Sequence, residues 1–263
     1  MFRVGSAHAA VASCILITGA SGELGGALAR CYSRDGVRLS LWGRDLGRLA
    51  AIADACRALG AIVETRSLDI EDVAAAVAAA VEEDTAAPFD LVLLVSGLGD
   101  TRPTGEQVEP AELVARLGTV NFTAPAAMGA ALAGRMASRR RGALVFIGSA
   151  AAFHALPFAA AYSGTKAGLA RFADALRLNV RPYGVSVTLV SPGFIDTEAG
   201  RQTHDGRAFA MAPDLVAKRI EQAVRRKQAH LILPWPFVLL RAFDRLLPAV
   251  LRDRLLLSLT PPG

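Results

Sequence analysis

Ser13-Cys14-Ile15-Leu16-Ile17-Thr18-Gly19-Ala20-Ser21-Gly22-Glu23-Leu24-Gly25-Gly26 is the stretch that decides how this chain folds. Ser13 to Ile17 is a short, mostly apolar run that stops at Thr18-Gly19, as a buried parallel strand does. A glycine-rich turn follows, opening an alanine- and leucine-rich helix to about Ser33. Glycines in such a turn let the backbone approach a diphosphate, and the helix N-terminus offers N–H groups and a positive dipole end. An ordinary tight turn is the competing reading.

The same alternation continues outward from that unit. Strands are predicted at Arg38 to Trp42, Ile62 to Ser67, Phe89 to Val95, Gly142 to Ile147, Val185 to Val190 and His230 to Leu233. Helices are predicted from Asp45, a capping residue, to about Ala58, and from Asp72 to Glu83. Another runs from about Pro110 through Asn121 to Arg139-Arg140-Arg141, a basic triplet suited to a helix C-terminus or, alternatively, to a membrane surface. Two more span Phe158 to Arg181 and Pro213 to Lys227. Gly99 to Glu109 reads as a connection, and Thr197 to Met211 as a flap. The fold class is therefore α/β: a single doubly wound parallel sheet, Rossmann-like, with helices on both faces. One domain over residues 1–233 is expected, with 234–263 as a helical extension. Gly19, Arg44, Asp69, Ser96-Gly97, Ser149 and Pro192-Gly193 all fall at strand ends, where ligands bind in such sheets.

Composition agrees. Of 263 residues, 52% are hydrophobic and 20% charged, enough to bury a large core. A net charge of +5 suits a phosphate-bearing ligand or an anionic membrane surface. Nucleic acid is not a predicted partner, because the arginines are scattered and form no basic stripe. Cys14, Cys31 and Cys56 lack metal or redox spacing and suit a reduced, cytoplasmic protein. His8, His154, His204 and His230 show no ligand spacing, so no metal is expected. The apolar run from Ala9 to Ile17 reads as the first strand rather than a signal peptide.

Within the helix predicted over Phe158 to Arg181, Tyr162 and Lys166 lie four residues apart and share a face. A phenol ionises near pH 10, and a neighbouring ammonium favours its phenolate. The pair is thus a candidate proton-transfer device.

With Thr18-Gly19, Gly25, Asp69, Asn121, Ser149, Tyr162-x-x-x-Lys166 and Pro192-Gly193-x-x-x-Thr197 in place, the chain resembles the short-chain dehydrogenase/reductase family from roughly Ser13 to His230. The resemblance implies an enzyme that interconverts a ketone and a secondary alcohol. Tyr162 would be its acid and base, with Lys166 lowering the phenol's pKa and holding the nicotinamide ribose. Ser149 would bind the substrate oxygen, and Asn121 would hold a relay water. Implied cofactor contacts are Gly19, Ser21, Gly22, Glu23, Leu24 and Gly25 in the turn, then Arg44, Asp69, Ile70, Ser96 and Gly97 at strand ends. Tyr162, Lys166, Pro192, Gly193, Ile195 and Thr197 would meet the nicotinamide half. A homodimer or homotetramer is also implied.

The second strand ends at Gly43-Arg44, where a carboxylate would select a free 2′-hydroxyl. An arginine suits a 2′-phosphate, so NADP(H) is the expected cofactor ahead of NAD(H), with Arg48 an alternative partner. Two positions depart from the family pattern. Glu23 replaces a glycine of the turn, and Leu94-Val95-Ser96-Gly97 replaces Asn-Asn-Ala-Gly, removing two polar ties. These departures motivate a rival reading, a nucleotide-binding scaffold or regulator that retains the fold. Ala150 to Phe158 and Phe194 to Met211 would line the substrate pocket; Phe153, Leu156, Phe158, Phe194, Phe209 and Met211 make an apolar carbonyl or alcohol substrate the expectation. From Phe237 to Leu259 the pattern predicts an amphipathic helix broken at Pro248, with leucines on one side and arginines and aspartates on the other. Packing on the body or a second subunit, walling a long apolar pocket, and resting on a membrane surface all remain open for this tail, the last as a peripheral contact.

Overall fold

The computed structural model describes residues 13–99, 101–197, 210–239 and 247–258. Seven parallel strands form one sheet: β1 (Cys14–Thr18), β2 (Arg38–Gly43), β3 (Ile62–Ser67), β4 (Leu91–Leu94), β5 (Ala143–Ile147), β6 (Ser186–Pro192) and β7 (His230–Leu233). Their order across the sheet is β3-β2-β1-β4-β5-β6-β7. The chain reverses its direction of winding between β1 and β4, and that is where a crevice opens beyond the strand ends. Register brings these ends level: Thr18 lies opposite both Trp42 and Leu94, and Leu94 opposite Phe146.

Eight α-helices are described: α1 (Glu23–Tyr32), α2 (Leu46–Ala58), α3 (Val73–Ala86), α4 (Ala111–Gly118), α5 (Ala124–Ser138), α6 (Ala160–Val180), α7 (Pro213–Arg225) and α8 (Ala249–Ser258). Alternation within each strand feeds two cores. Ile15 and Ile17 of β1 face α1, α2 and α7 through Leu28, Leu49 and Ile220. Leu16 faces the opposite way, into a core with Ala80 of α3, Met128 of α5 and Leu169 of α6. Each such side chain, fully buried, contributes about 1.5–3 kcal/mol.

Capping explains several helix starts. Asp45 accepts a 2.9 Å hydrogen bond from the Arg48 N–H, and Asp72 a 3.0 Å bond from the Ala75 N–H. The helix expected to run unbroken from Pro110 to Arg141 does not. Thr119–Thr123 is a π-helical turn between α4 and α5, in which the Ala124 N–H reaches back five residues to Thr119 O. Such a turn inserts a residue and re-aims what it carries, here Asn121.

The arginine triplet closes the helix, with Arg139 at the C-cap of α5. Arg139 turns inward from the end of α5 and pairs with the buried Asp84 of α3 at 2.9 Å. Arg140 takes a left-handed φ of 55°. The tail departs from expectation. In α8 Leu256 is buried, while Val250, Leu251, Leu255 and Leu257 face solvent, so the leucine side is not the packed side. The expected helical pattern at 240–246 and 259 lies outside the described residues, as does the flap at 198–209. On either side of that stretch, Ile195 pairs with Met211 in an isolated parallel bridge.

Candidate active site

The turn after β1 approaches its neighbours closely. Gly19 has a φ of +67°, and a Cβ there would lie 2.9 Å from the Ser96 backbone. A Cβ on Gly43 would lie 2.6 Å from Ser21 Oγ, so the end of β2 has no room for a side chain beside the turn. Gly22 caps α1 without a side chain, leaving the N–H groups of the first turn to face a ligand.

Above this turn lies a cleft of about 530 Å³. It brings together Gly19, Ser21, Gly22, Glu23, Leu24, Gly25, Arg44, Asp69, Ile70, Ser96, Gly97 and Thr197 of the expected cofactor set. Trp42, Leu68, Val95, Leu98 and Val120 line it as well. Those were not singled out in the sequence; their signal was adjacency to the polar strand ends. Tyr162, Lys166, Pro192, Gly193 and Ile195 are not on this wall. The Gly193 N–H instead donates to Leu233 O at 2.6 Å, and Ile195 belongs to the bridge with Met211.

At the outer rim, Arg44 Nη1 is 3.7 Å from Asp69 Oδ2 and 3.9 Å from Glu71 Oε1. Arg48, on the same wall, sits 3.4 Å from Asp45 Oδ2. Both cations are therefore held at the cleft by carboxylates. Glu23 is exposed at the first position of α1, where an acid suits the helix dipole.

The loss of the two asparagines after β4 is compensated. The buried Thr18 hydroxyl accepts hydrogen bonds from the Val95 N–H at 3.1 Å and the Ser96 N–H at 3.4 Å. Asn121 grips the next residue from the π turn: its Nδ2 donates to Leu98 O at 2.9 Å, and its Oδ1 accepts from the Leu98 N–H at 2.8 Å. Its side chain thus ties the π turn to the backbone of Leu98.

The four expected catalytic residues come from three separate elements. Ser149 follows β5, Asn121 sits in the π turn, and Tyr162 and Lys166 lie in α6. Gly97 marks where they converge: a Cβ on it would lie 3.1 Å from Asn121 Oδ1 and 3.2 Å from Lys166 Nζ. Lys166 is buried and donates from Nζ to Ile147 O at 3.0 Å. Burial lowers its pKa to about 8. Nζ lies 5.9 Å from the centroid of the Tyr162 ring. Burial pushes Tyr162 up from the ordinary phenol value, and the neighbouring Ser149 hydroxyl opposes that rise. The Ala151 N–H donates to Ser149 Oγ at 3.1 Å, which occupies one lone pair and leaves the hydroxyl proton free to be donated.

The profile of short chain dehydrogenases matches residues 13–208. The chain belongs to the short-chain dehydrogenase/reductase family. It is 34% identical over 239 residues to an uncharacterized oxidoreductase of Myxococcus xanthus, covering 90% of this chain and 94% of that one. It is 30% identical over 268 residues to dehydrogenase/reductase SDR family member 7B of Bos taurus, covering 93% and 80%. Among solved structures, a short-chain dehydrogenase from Sphingobium yanoikuyae in complex with NADPH superposes with a TM-score of 0.78 at 29% identity, over 95% and 96% of the two chains. The protein is accordingly a short-chain dehydrogenase/reductase enzyme, of a family that uses NAD(P)(H). The cleft fits such a dinucleotide: its floor is glycine where a Cβ would collide, a helix N-terminus opens onto it, and cations stand at its rim. Among the described residues no cluster could hold a metal ion, and no helix is long and apolar enough to cross a membrane.

Proposed function

We propose that this short-chain dehydrogenase/reductase is NADP(H)-dependent and interconverts a ketone and a secondary alcohol on an apolar, lipid-like substrate. The observation that carries the reading is the meeting of Asn121 and buried Lys166 at Gly97, on the wall of the glycine-floored cleft, with Tyr162 one turn before Lys166 on α6 and Ser149 at the end of β5. When bound, the nicotinamide would supply or accept the hydride. Gly19, Gly22 and Gly25 would hold its diphosphate, and Thr197 would reach the nicotinamide half; Pro192, Gly193 and Ile195 would shape that end from behind.

The chain's own groups handle the proton. In reduction Tyr162 donates the proton of its Oη to the carbonyl oxygen, which stays bonded to its carbon and becomes the hydroxyl of the alcohol. Ser149 donates a hydrogen bond to the same oxygen and steadies the charge that develops there. Lys166 holds the nicotinamide ribose and, when protonated, offsets the negative charge left on Tyr162 Oη. Asn121 keeps the backbone after β4 in place through Leu98. In oxidation the same proton moves the other way.

Preference for NADP(H) is supported by Arg44 and Arg48 on the cleft wall, by the lack of room for a carboxylate at Gly43, and by the NADPH held in the Sphingobium relative. Titration of Trp42 fluorescence tests it. Arg44→Ala should raise the Kd for NADPH by about 10- to 100-fold, the loss of one charge-assisted contact, and leave NADH within about threefold. Equal losses for both cofactors would contradict the assignment. An apolar substrate is supported by Phe194, exposed beside the site, and by Phe153; Phe209 lies outside the described residues. The outward leucines of α8, next to Arg254, support a peripheral contact with an anionic membrane surface.

A further inference from the structure

α6 carries Tyr162 in its first turn, yet it begins at a residue that cannot cap it. The N-cap position is Ala159, whose methyl group offers no acceptor. A helix start leaves several backbone N–H groups without an intrahelical partner, and a start without a cap frays. Here the acceptor comes from elsewhere in the chain. Glu109, 52 residues upstream, accepts a 2.8 Å hydrogen bond from the Ala161 N–H through Oε2. Ala161 immediately precedes Tyr162.

A second contact fixes the same place. The Arg102 N–H donates to Phe158 O at 3.0 Å, and Arg102 Nη1 reaches forward to Gln107 O at 2.9 Å. The connection after β4 therefore holds the entry to α6 at two points, Phe158 O and the Ala161 N–H. Glu109 Oε1 is shut away from solvent and accepts no hydrogen bond from the described residues. A half-buried carboxylate kept in this position with one oxygen unsatisfied is costly, and the helix N-terminus offsets that cost.

We infer that Glu109 is a positioning residue for the proton-transfer step: it replaces the missing cap of α6 and so sets where Tyr162 Oη stands relative to Ser149. The inference rests on Tyr162 being the proton donor, but its primary test does not need turnover. It predicts that the hydrogen bond, more than the charge, matters. Glu109→Gln keeps an acceptor oxygen at the right reach, whereas Glu109→Ala removes it and Glu109→Asp is one methylene short.

Hydrogen–deuterium exchange of the full-length protein reads the cap directly. In Glu109→Ala and Glu109→Asp the amides of residues 160–163 should exchange roughly tenfold faster than in wild type, as expected for the loss of one cap. In Glu109→Gln they should exchange at close to the wild-type rate. Unchanged exchange in Glu109→Ala would overturn the inference whatever the reaction proves to be. The kinetic readout uses NADPH with an aryl alkyl ketone that the wild type reduces. Glu109→Ala should lose roughly tenfold in kcat with an unchanged Kd for NADPH, and Glu109→Gln should restore it to within about twofold, because misplacing the donor costs the chemical step alone. A Glu109→Gln variant as slow as Glu109→Ala, or parallel losses in NADPH binding, would contradict a positioning role. Failure of Tyr162 itself as donor would show separately, in a Tyr162→Phe variant that keeps its turnover.

Discussion

Lys166 is disfavoured in its charged form by the fold that holds it. Burial lowers its pKa to about 8, against about 10.4 for a free lysine. The sign follows from proton counting. Between those two values the unfolded chain binds a proton that the folded chain does not, so stability rises with pH across that window. Below about pH 8 the penalty for the buried ammonium is fully present, ~3 kcal/mol; above about pH 10.5 it is gone. Lys166→Met has no such titration. Urea unfolding of both proteins should therefore show wild type gaining ~3 kcal/mol on the variant between about pH 7 and about pH 10.5. A difference that stays flat would mean that Lys166 is not buried as described. The pair Tyr162 and Lys166 was legible in the sequence because a helix puts positions four apart on one face. The acceptor for Lys166, Ile147 O, was not, since it comes from a strand 19 residues away and leaves no local pattern.

Elements were read well where the signal was periodic. The strands are apolar runs that stop at glycine or a polar residue, and Asp45 and Asp72 cap the helices that their positions announced. The π turn at Thr119–Thr123 escaped, because one extra residue per turn changes the hydrogen bonding without breaking the apolar pattern. Arg139 escaped for another reason: its partner is distant in sequence. Asp84 of α3, fully buried, accepts from Arg139 at two oxygens, from Arg135 Nε at 2.6 Å and from the Phe89 N–H at 2.9 Å. Burial raises its pKa, and the hydrogen bonds from Arg139, Arg135 and Phe89 more than reverse this, so the carboxyl ends below its ordinary value. Its contribution is present above the unfolded value, about pH 3.9, and is lost as the pH falls through the lower folded one. Asp84→Ala leaves two arginines without their anion at the α3–α5 junction. It should cost about 3–5 kcal/mol in urea unfolding at neutral pH. A loss below about 1 kcal/mol would place the pair among exposed ones.

At the scale of the whole molecule, the order of the strands follows from βαβ alternation and right-handed crossovers, and so was legible. The packing of the tail was not. An amphipathic helix was expected, but leucine and arginine positions in residues 249–258 do not separate cleanly around a helix, and the leucines fall on both sides. The structure turns Arg252 and Leu256 toward the body and leaves four large apolar side chains outward. If that side meets a membrane, the double variant Val250→Glu, Leu255→Glu should no longer sediment with vesicles of anionic phospholipid, at an unchanged melting temperature. Sedimentation equal to wild type would remove the membrane and favour a second copy of the chain on this surface.

In the proposed reaction Tyr162 delivers the proton beside the dinucleotide cleft. Single-turnover reduction of a ketone by the Tyr162→Phe variant, preloaded with NADPH and followed by loss of nicotinamide absorbance, tests it most directly. The variant should bind NADPH within about twofold of wild type and reduce the ketone at least 100-fold more slowly, as expected for removal of a general acid. A wild-type rate from the NADPH-bound variant would contradict the assignment.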